Sequence, residues 1–134
     1  GEFKEDFGGG VSQWATTTYN AAFFGGLDLV QHKAHSIYIS RYPFGREATL
    51  AYPSVDLKIR NNTPHGIVIW PTYTGSSITV QMWGTKFATG AQTSINKTSG
   101  CGQVNGTRTR TYVDGRPPTT DKFSAVYNCN PPKH

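Results

Sequence analysis

The feature that most constrains this chain is the placement of its two cysteines about one tight turn. Cys101 and Cys129 are the only cysteines, and Asp114-Gly115 lies midway between them. Asp-Gly is a strong hairpin signal because both residues tolerate the positive φ that a tight turn demands. The flanking segments Thr107–Val113 and Phe123–Tyr127 are β-branched or aromatic and alternate as strands do. Folding at Gly115 brings position 101 opposite 129, the register of a disulfide across the open end of a hairpin, with Pro117 and Pro118 widening the turn. Metal binding is the weaker reading, since two cysteines without a nearby histidine pair do not complete a zinc site. A disulfide also implies an oxidising, extracytoplasmic compartment.

Upstream the pattern changes. After Gly8-Gly9-Gly10, the run Val11–Phe24 places Val11, Ala15, Tyr19 and Ala22 on one helical face, and Gly25-Gly26 stops it. Ser12, Thr16 and Asn20 recur every fourth residue and form a polar stripe on the same helix. Strands are expected at Ser36–Tyr42, Ala48–Tyr52, Asp56–Arg60, Gly66–Trp70 and Ser77–Trp83, the last two joined through Thr74-Gly75-Ser76. Ala88–Gly100 is polar and rich in Gly, Ser and Thr, so it reads as a loop. The expected fold is α+β, with one long helix packed on an antiparallel-rich sheet and a disulfide-closed C-terminal β-hairpin. Along the chain this gives a domain over 1–87, a linker over 88–100 and a hairpin tail over 101–134.

Charge narrows the function. Only 16% of the 134 residues are charged, and the net charge is +5. It is split, with −2 over Gly1–His35 and +7 from Ser36 onward, which suits an acidic substrate or partner. The basic residues are dispersed, and a disulfide belongs to the wrong compartment for nucleic acid. No wholly apolar run is longer than the four residues of Ala21–Phe24, so no membrane span is expected. No cofactor is implied.

The best chemical candidate is Gly8-Gly9-Gly10-Val11-Ser12-Gln13. Glycines allow close backbone approach to a ligand, with Gly9 and Gly10 nearest the helix. A helix start offers unpaired N–H groups, here around Gln13, and a positive dipole end. Ser12 placed there reads either as a nucleophile or as an ordinary helix cap. His35, with His32 beside it, lies before an expected strand and can return to the helix start, giving a Ser–His pair. Asp56 or Glu47 can orient the imidazole. Arg46, behind the turn Tyr42-Pro43-Phe44-Gly45, can hold a carboxylate bidentately or lock that turn. Trp14, Tyr38, Tyr42, Trp70 and Trp83 can stack on glycan, but most are expected in the core because they fall on alternating strands.

In order, Gly8-Gly9-Gly10-Val11-Ser12-Gln13, Ala15-Thr16-Thr17-Thr18-Tyr19-Asn20-Ala21, His35-Ser36-Ile37, Pro43-Phe44-Gly45-Arg46-Glu47-Ala48-Thr49 and Asp56-Leu57-Lys58-Ile59-Arg60-Asn61-Asn62-Thr63 resemble a VanW domain over about Gly8–Val80. The tail over Thr107–Tyr127 is similar to the region that follows in actinobacterial members. The family takes its name from glycopeptide (vancomycin) resistance clusters and occurs on bacterial cell envelopes. The resemblance implies either an L,D-transpeptidase-like acyl transferase acting on peptidoglycan stem peptides, or a non-catalytic module that binds or scaffolds the wall through peptide or glycan. Family members use a cysteine nucleophile where Ser12 stands here, and Glu47 stands where Asp is common. A serine depends more heavily on its base than a thiol does. The family also usually has a segment before the glycine motif. The chain is therefore expected to lack structure near that motif, supplied by a preceding segment, a swap or a second chain.

Overall fold

The computed structural model describes residues 2–37, 39, 42–51, 54–96 and 101–129, with side chains described from Val11 onward. The expected strand Ser36–Tyr42 and the residues Tyr38 and Tyr52 therefore lie partly or wholly outside the described residues.

Helix α1 runs over Glu2–Phe24, longer than the run from Val11 that the sequence suggests. The glycine triplet does not form a loop; Gly8, Gly9 and Gly10 lie inside the helix. Each helical glycine costs about 1 kcal/mol relative to alanine. The C-terminal end is a Schellman cap: the Gly26 N–H donates to Phe23 O and the Leu27 N–H to Ala22 O. Gly26 has φ +73°, which only glycine adopts without strain. Ala15, Tyr19, Ala22 and Phe23 are the buried face, close to the face expected from the helical spacing.

Among the described residues seven strands follow: β1 Asp28–Gln31, β2 Lys58–Arg60, β3 Val68–Tyr73, β4 Ile78–Trp83, β5 Ala88–Ile95, β6 Gly102–Tyr112 and β7 Thr119–Tyr127. The architecture is α+β and dominated by sheet. In place of one sheet under a helix, the described residues form three antiparallel sheets, β1-β2, β3-β4 and β5-β6-β7. The segment 88–95, expected as loop, is β5 and pairs with β6 from Ala88↔Tyr112 to Ile95↔Gly106. Its Ala, Gly, Thr and Ser composition hides a strand that is held by its partner's backbone. The described residues of Ala48–Tyr52 carry only an isolated Ala51↔Val55 bridge, and β1 has no counterpart among the expected strands.

The tail packs onto the helix. Phe123 meets Phe23 edge-on with ring centroids 5.2 Å apart. The main core joins Ala15, Tyr19, Phe23, Ala48 and Phe123, and a second cluster joins Ala34, Val104, Ala125 and Tyr127. The hairpin pairs Gly102 with Tyr127 and Arg110 with Thr119, one residue off the mirror about Gly115. Cys101 and Cys129 are nonetheless bonded, with Cα atoms 4.7 Å apart.

The crosslink closes a loop with a sequence separation of 28, worth about 3–4 kcal/mol by chain entropy. Reduction is expected to lower the melting temperature and to speed amide exchange in β6 and β7 ahead of α1, read by hydrogen-exchange mass spectrometry. Equal loosening of α1 would contradict this.

Candidate active site

The polar stripe of α1 builds the site. Two of its three residues, Thr16 and Asn20, grip the segment 46–48. Asn20 Nδ2 donates to Arg46 O at 2.8 Å, and its Oδ1 accepts from Arg46 Nη1 at 2.5 Å. Thr16 Oγ1 donates to Ala48 O at 3.1 Å and accepts from the Ala48 N–H at 3.0 Å, buried on both sides. Glu47 lies between these two clamps and is fully buried. Gly45, at φ +78°, makes the turn that delivers this segment, and its N–H donates to Tyr127 Oη at 3.1 Å.

Held this way, Glu47 faces His35, and His35 faces the third member of the stripe. Glu47 Oε1 lies 2.9 Å from His35 Nδ1 and accepts from the His35 backbone N–H at 2.8 Å. His35 Nε2 lies 2.9 Å from Ser12 Oγ. A carboxylate only accepts, so Nδ1 carries the imidazole proton and Nε2 is left to receive one from Ser12. Tyr42 stacks on the imidazole, with ring centroids 5.5 Å apart and planes 14° from parallel, which fixes its plane. Glu47 Oε2 has no hydrogen-bond partner among the described residues. That leaves a buried charge incompletely compensated while His35 is neutral, and better compensated once His35 is protonated.

A cleft of about 410 Å³ borders this relay, lined among others by Gln13, Thr17, Asn20, Tyr42, Pro43 and Ser76. It reaches the relay through Tyr42, which lies against the histidine; Ser12 and His35 are not themselves among its lining residues.

Several expected roles change. Ser12 is not at a helix start: its backbone, like that of Gln13, is in the third turn of α1, where N–H groups are spent on i→i−4 bonds. The backbone around Gln13 therefore supplies no oxyanion donors, and Gly9 and Gly10 form no cradle. Arg46 is committed as a clamp. Its Nε donates to Gln92 Oε1 at 2.7 Å, its Nη1 to Asn20, and its guanidinium lies over the rings of Phe23 and Phe24. Asp56 is exposed, and its Oδ1 accepts from the Leu57 N–H at 2.8 Å. It serves its own turn, and Glu47 is the residue that orients the imidazole. Thr16 and Asn20 were readable as a stripe, but nothing in their spacing pointed to the segment they hold.

His32 does not join the relay. It packs against Tyr19, ring centroids 4.3 Å apart, and burial lowers its pKa from 6.5 to about 4. The unfolded chain then binds more protons than the folded one between pH 4 and 6.5, so stability is complete above that window and is lost as pH falls through it. Urea unfolding is expected to show roughly 2–3 kcal/mol less stability at pH 4.5 than at pH 7, and His32→Phe is expected to remove most of that difference.

All three relay residues fall within residues 1–83, the stretch matched by the model of the VanW family, described as VanW like protein. The chain belongs to that family. Over 83 residues it is 31% identical to YoaR of Bacillus subtilis (strain 168), an uncharacterized protein, and the match covers 62% of this chain and 27% of YoaR. The aligned part is thus about a quarter of that relative's length. No solved structure matches the chain. Family membership points to the cell envelope, and the disulfide is consistent with an extracytoplasmic setting. Among the described residues no helix is long and apolar enough to cross a membrane.

Proposed function

We propose that this chain carries the acyl-transfer centre of a cell-envelope enzyme acting on peptidoglycan stem peptides, with Ser12 as nucleophile in an L,D-transpeptidase-like reaction. The observation that supports it most is the continuous hydrogen-bonded relay Ser12–His35–Glu47, with both links at 2.9 Å. Ser12 Oγ attacks the peptide carbonyl while its proton passes to His35 Nε2. Glu47 stabilises the imidazolium that forms, recovering the cost of its own burial. His35 then protonates the leaving amine. The acyl-enzyme passes its acyl group to a second peptide's amine, which gives its proton to His35 as Ser12 is released and reprotonated.

Ser12→Ala is expected to abolish turnover of purified disaccharide-peptide muropeptides, followed by mass spectrometry, while shifting the melting temperature by no more than a few degrees. Turnover that persists in Ser12→Ala would end the proposal. The second reading, a wall-binding or scaffolding module without catalysis, is favoured by the mid-helix position of Ser12, which denies it a backbone oxyanion hole. It predicts muropeptide binding with no product in wild type and Ser12→Ala alike.

A further inference from the structure

One face of the β3-β4 hairpin is wholly exposed and carries two tryptophans. Register pairs Val68 with Trp83, Trp70 with Gln81 and Thr72 with Thr79, and these six side chains share one face because strand residues alternate. All six are exposed, with Trp70 at 57%, Trp83 at 59% and Val68 at 57%. On the opposite face Ile78, Val80 and Met82 are partly buried, while Ile69 and Tyr73 across from them are exposed, at 49% and 83%. Both hairpin tryptophans lie on the wholly exposed face, against the expectation that most of Trp14, Tyr38, Tyr42, Trp70 and Trp83 would be in the core. Exposed apolar clusters of this kind mark contact surfaces.

We infer that this face is a binding platform for a linear, neutral oligosaccharide. Trp70 and Trp83 stand diagonally across the two strands, about 7–8 Å apart at the backbone, within reach of one short sugar chain. The C–H-lined face of a pyranose ring carries slight positive charge and packs on the negative face of an indole. The Trp83 Nε1–H donates to Gln81 Oε1 at 3.3 Å, leaving the Gln81 amide nitrogen to donate to a sugar oxygen beside the rings. Thr72 and Thr79 add hydroxyls.

The occupant follows from charge and size. The face carries no charged side chain, although the chain as a whole is +5. Nucleic acid, which is held through its phosphates, has nothing there to pair with. Two strands of 6 residues each offer roughly 200 Å² by strand geometry. A stable protein interface needs about 800 Å² per partner, so another protein is poorly held, whereas a flat aromatic strip of this size suits a few sugar rings. The platform does not depend on Ser12 being catalytic.

The chain has three tryptophans, Trp14, Trp70 and Trp83, so the test is available on unaltered protein. In a titration with N-acetylglucosamine hexamer and, in parallel, cellohexaose, the indole N–H resonances of Trp70 and Trp83 are expected to shift while that of Trp14 stays. Trp70→Ala and Trp83→Ala are each expected to weaken binding at least tenfold with unchanged circular dichroism. Ser12→Ala should bind as wild type does, which separates failure of the platform from failure of the acyl-transfer reading. Three results would overturn the inference: no shift with either oligomer, shifts that spare Trp70 and Trp83, or indole shifts that follow protein concentration without sugar. The last would identify the face as a contact between copies of the chain.

Discussion

Replacing Glu47 by glutamine is expected to reduce muropeptide turnover on the order of 10³–10⁴-fold while leaving the fold intact. The amide is nearly isosteric, and its oxygen can still accept from the His35 backbone N–H and from Nδ1. What is lost is the charge. Glu47 is fully buried, and its Oε2 has no partner among the described residues, so its full negative charge is best used when His35 becomes an imidazolium during the reaction. The amide cannot balance that cation, and the loss therefore falls on kcat. Stability is expected to hold or rise slightly, because a neutral group is easier to bury than a carboxylate. Steady-state kinetics with a parallel melting curve checks both halves. A variant that lost activity only through unfolding would contradict the assignment.

The largest structural effect is expected at Arg108. Its side chain is 1% exposed. The guanidinium donates through Nε and Nη2 to both oxygens of Asp121, at 3.0 and 2.6 Å, and through Nη1 to Phe23 O at 3.0 Å. It therefore ties β6 to β7 and closes the C-terminal end of α1, where a cation complements the helix dipole. Arg108→Ala leaves Asp121 and the Phe23 carbonyl without that partner and opens a cavity against the Phe23 ring. A loss of about 3–5 kcal/mol is expected, or roughly 10–20 °C in melting temperature. Arg116→Ala removes an equally short ion pair with Asp114, but that pair is at the surface and its loss should leave the melting curve unchanged. Similar shifts for the two arginines in calorimetry would contradict this account.

What the sequence disclosed, and what it withheld, follows the range of each signal. Local periodicity revealed the buried helical face and the stripe Ser12, Thr16 and Asn20, because residues four apart share a face. The Asp114-Gly115 turn and its flanks revealed the hairpin and the disulfide. Glycine misled twice. Gly8–Gly10 read as a loop before the helix, yet the helix runs through them to Glu2; and Gly and Ser in 88–100 hid β5, which owes its existence to β6. The relay itself joins positions 23 and 12 residues apart in sequence. Nothing local distinguishes Glu47 from Asp56 as its third member. The choice is made by the Thr16 and Asn20 clamps on either side of Glu47, a tertiary arrangement with no sequence signature of its own.

The central claim is that His35 and Glu47 activate Ser12. Intact-mass spectrometry after exposure to a fluorophosphonate, which modifies serines activated by a neighbouring base, tests it without knowledge of the substrate. The account predicts one adduct per chain, mapped by peptide sequencing to Ser12, absent in Ser12→Ala and formed far more slowly in His35→Ala and Glu47→Gln. An unmodified Ser12 in the folded wild-type protein, or labelling at the same rate in His35→Ala, would contradict it.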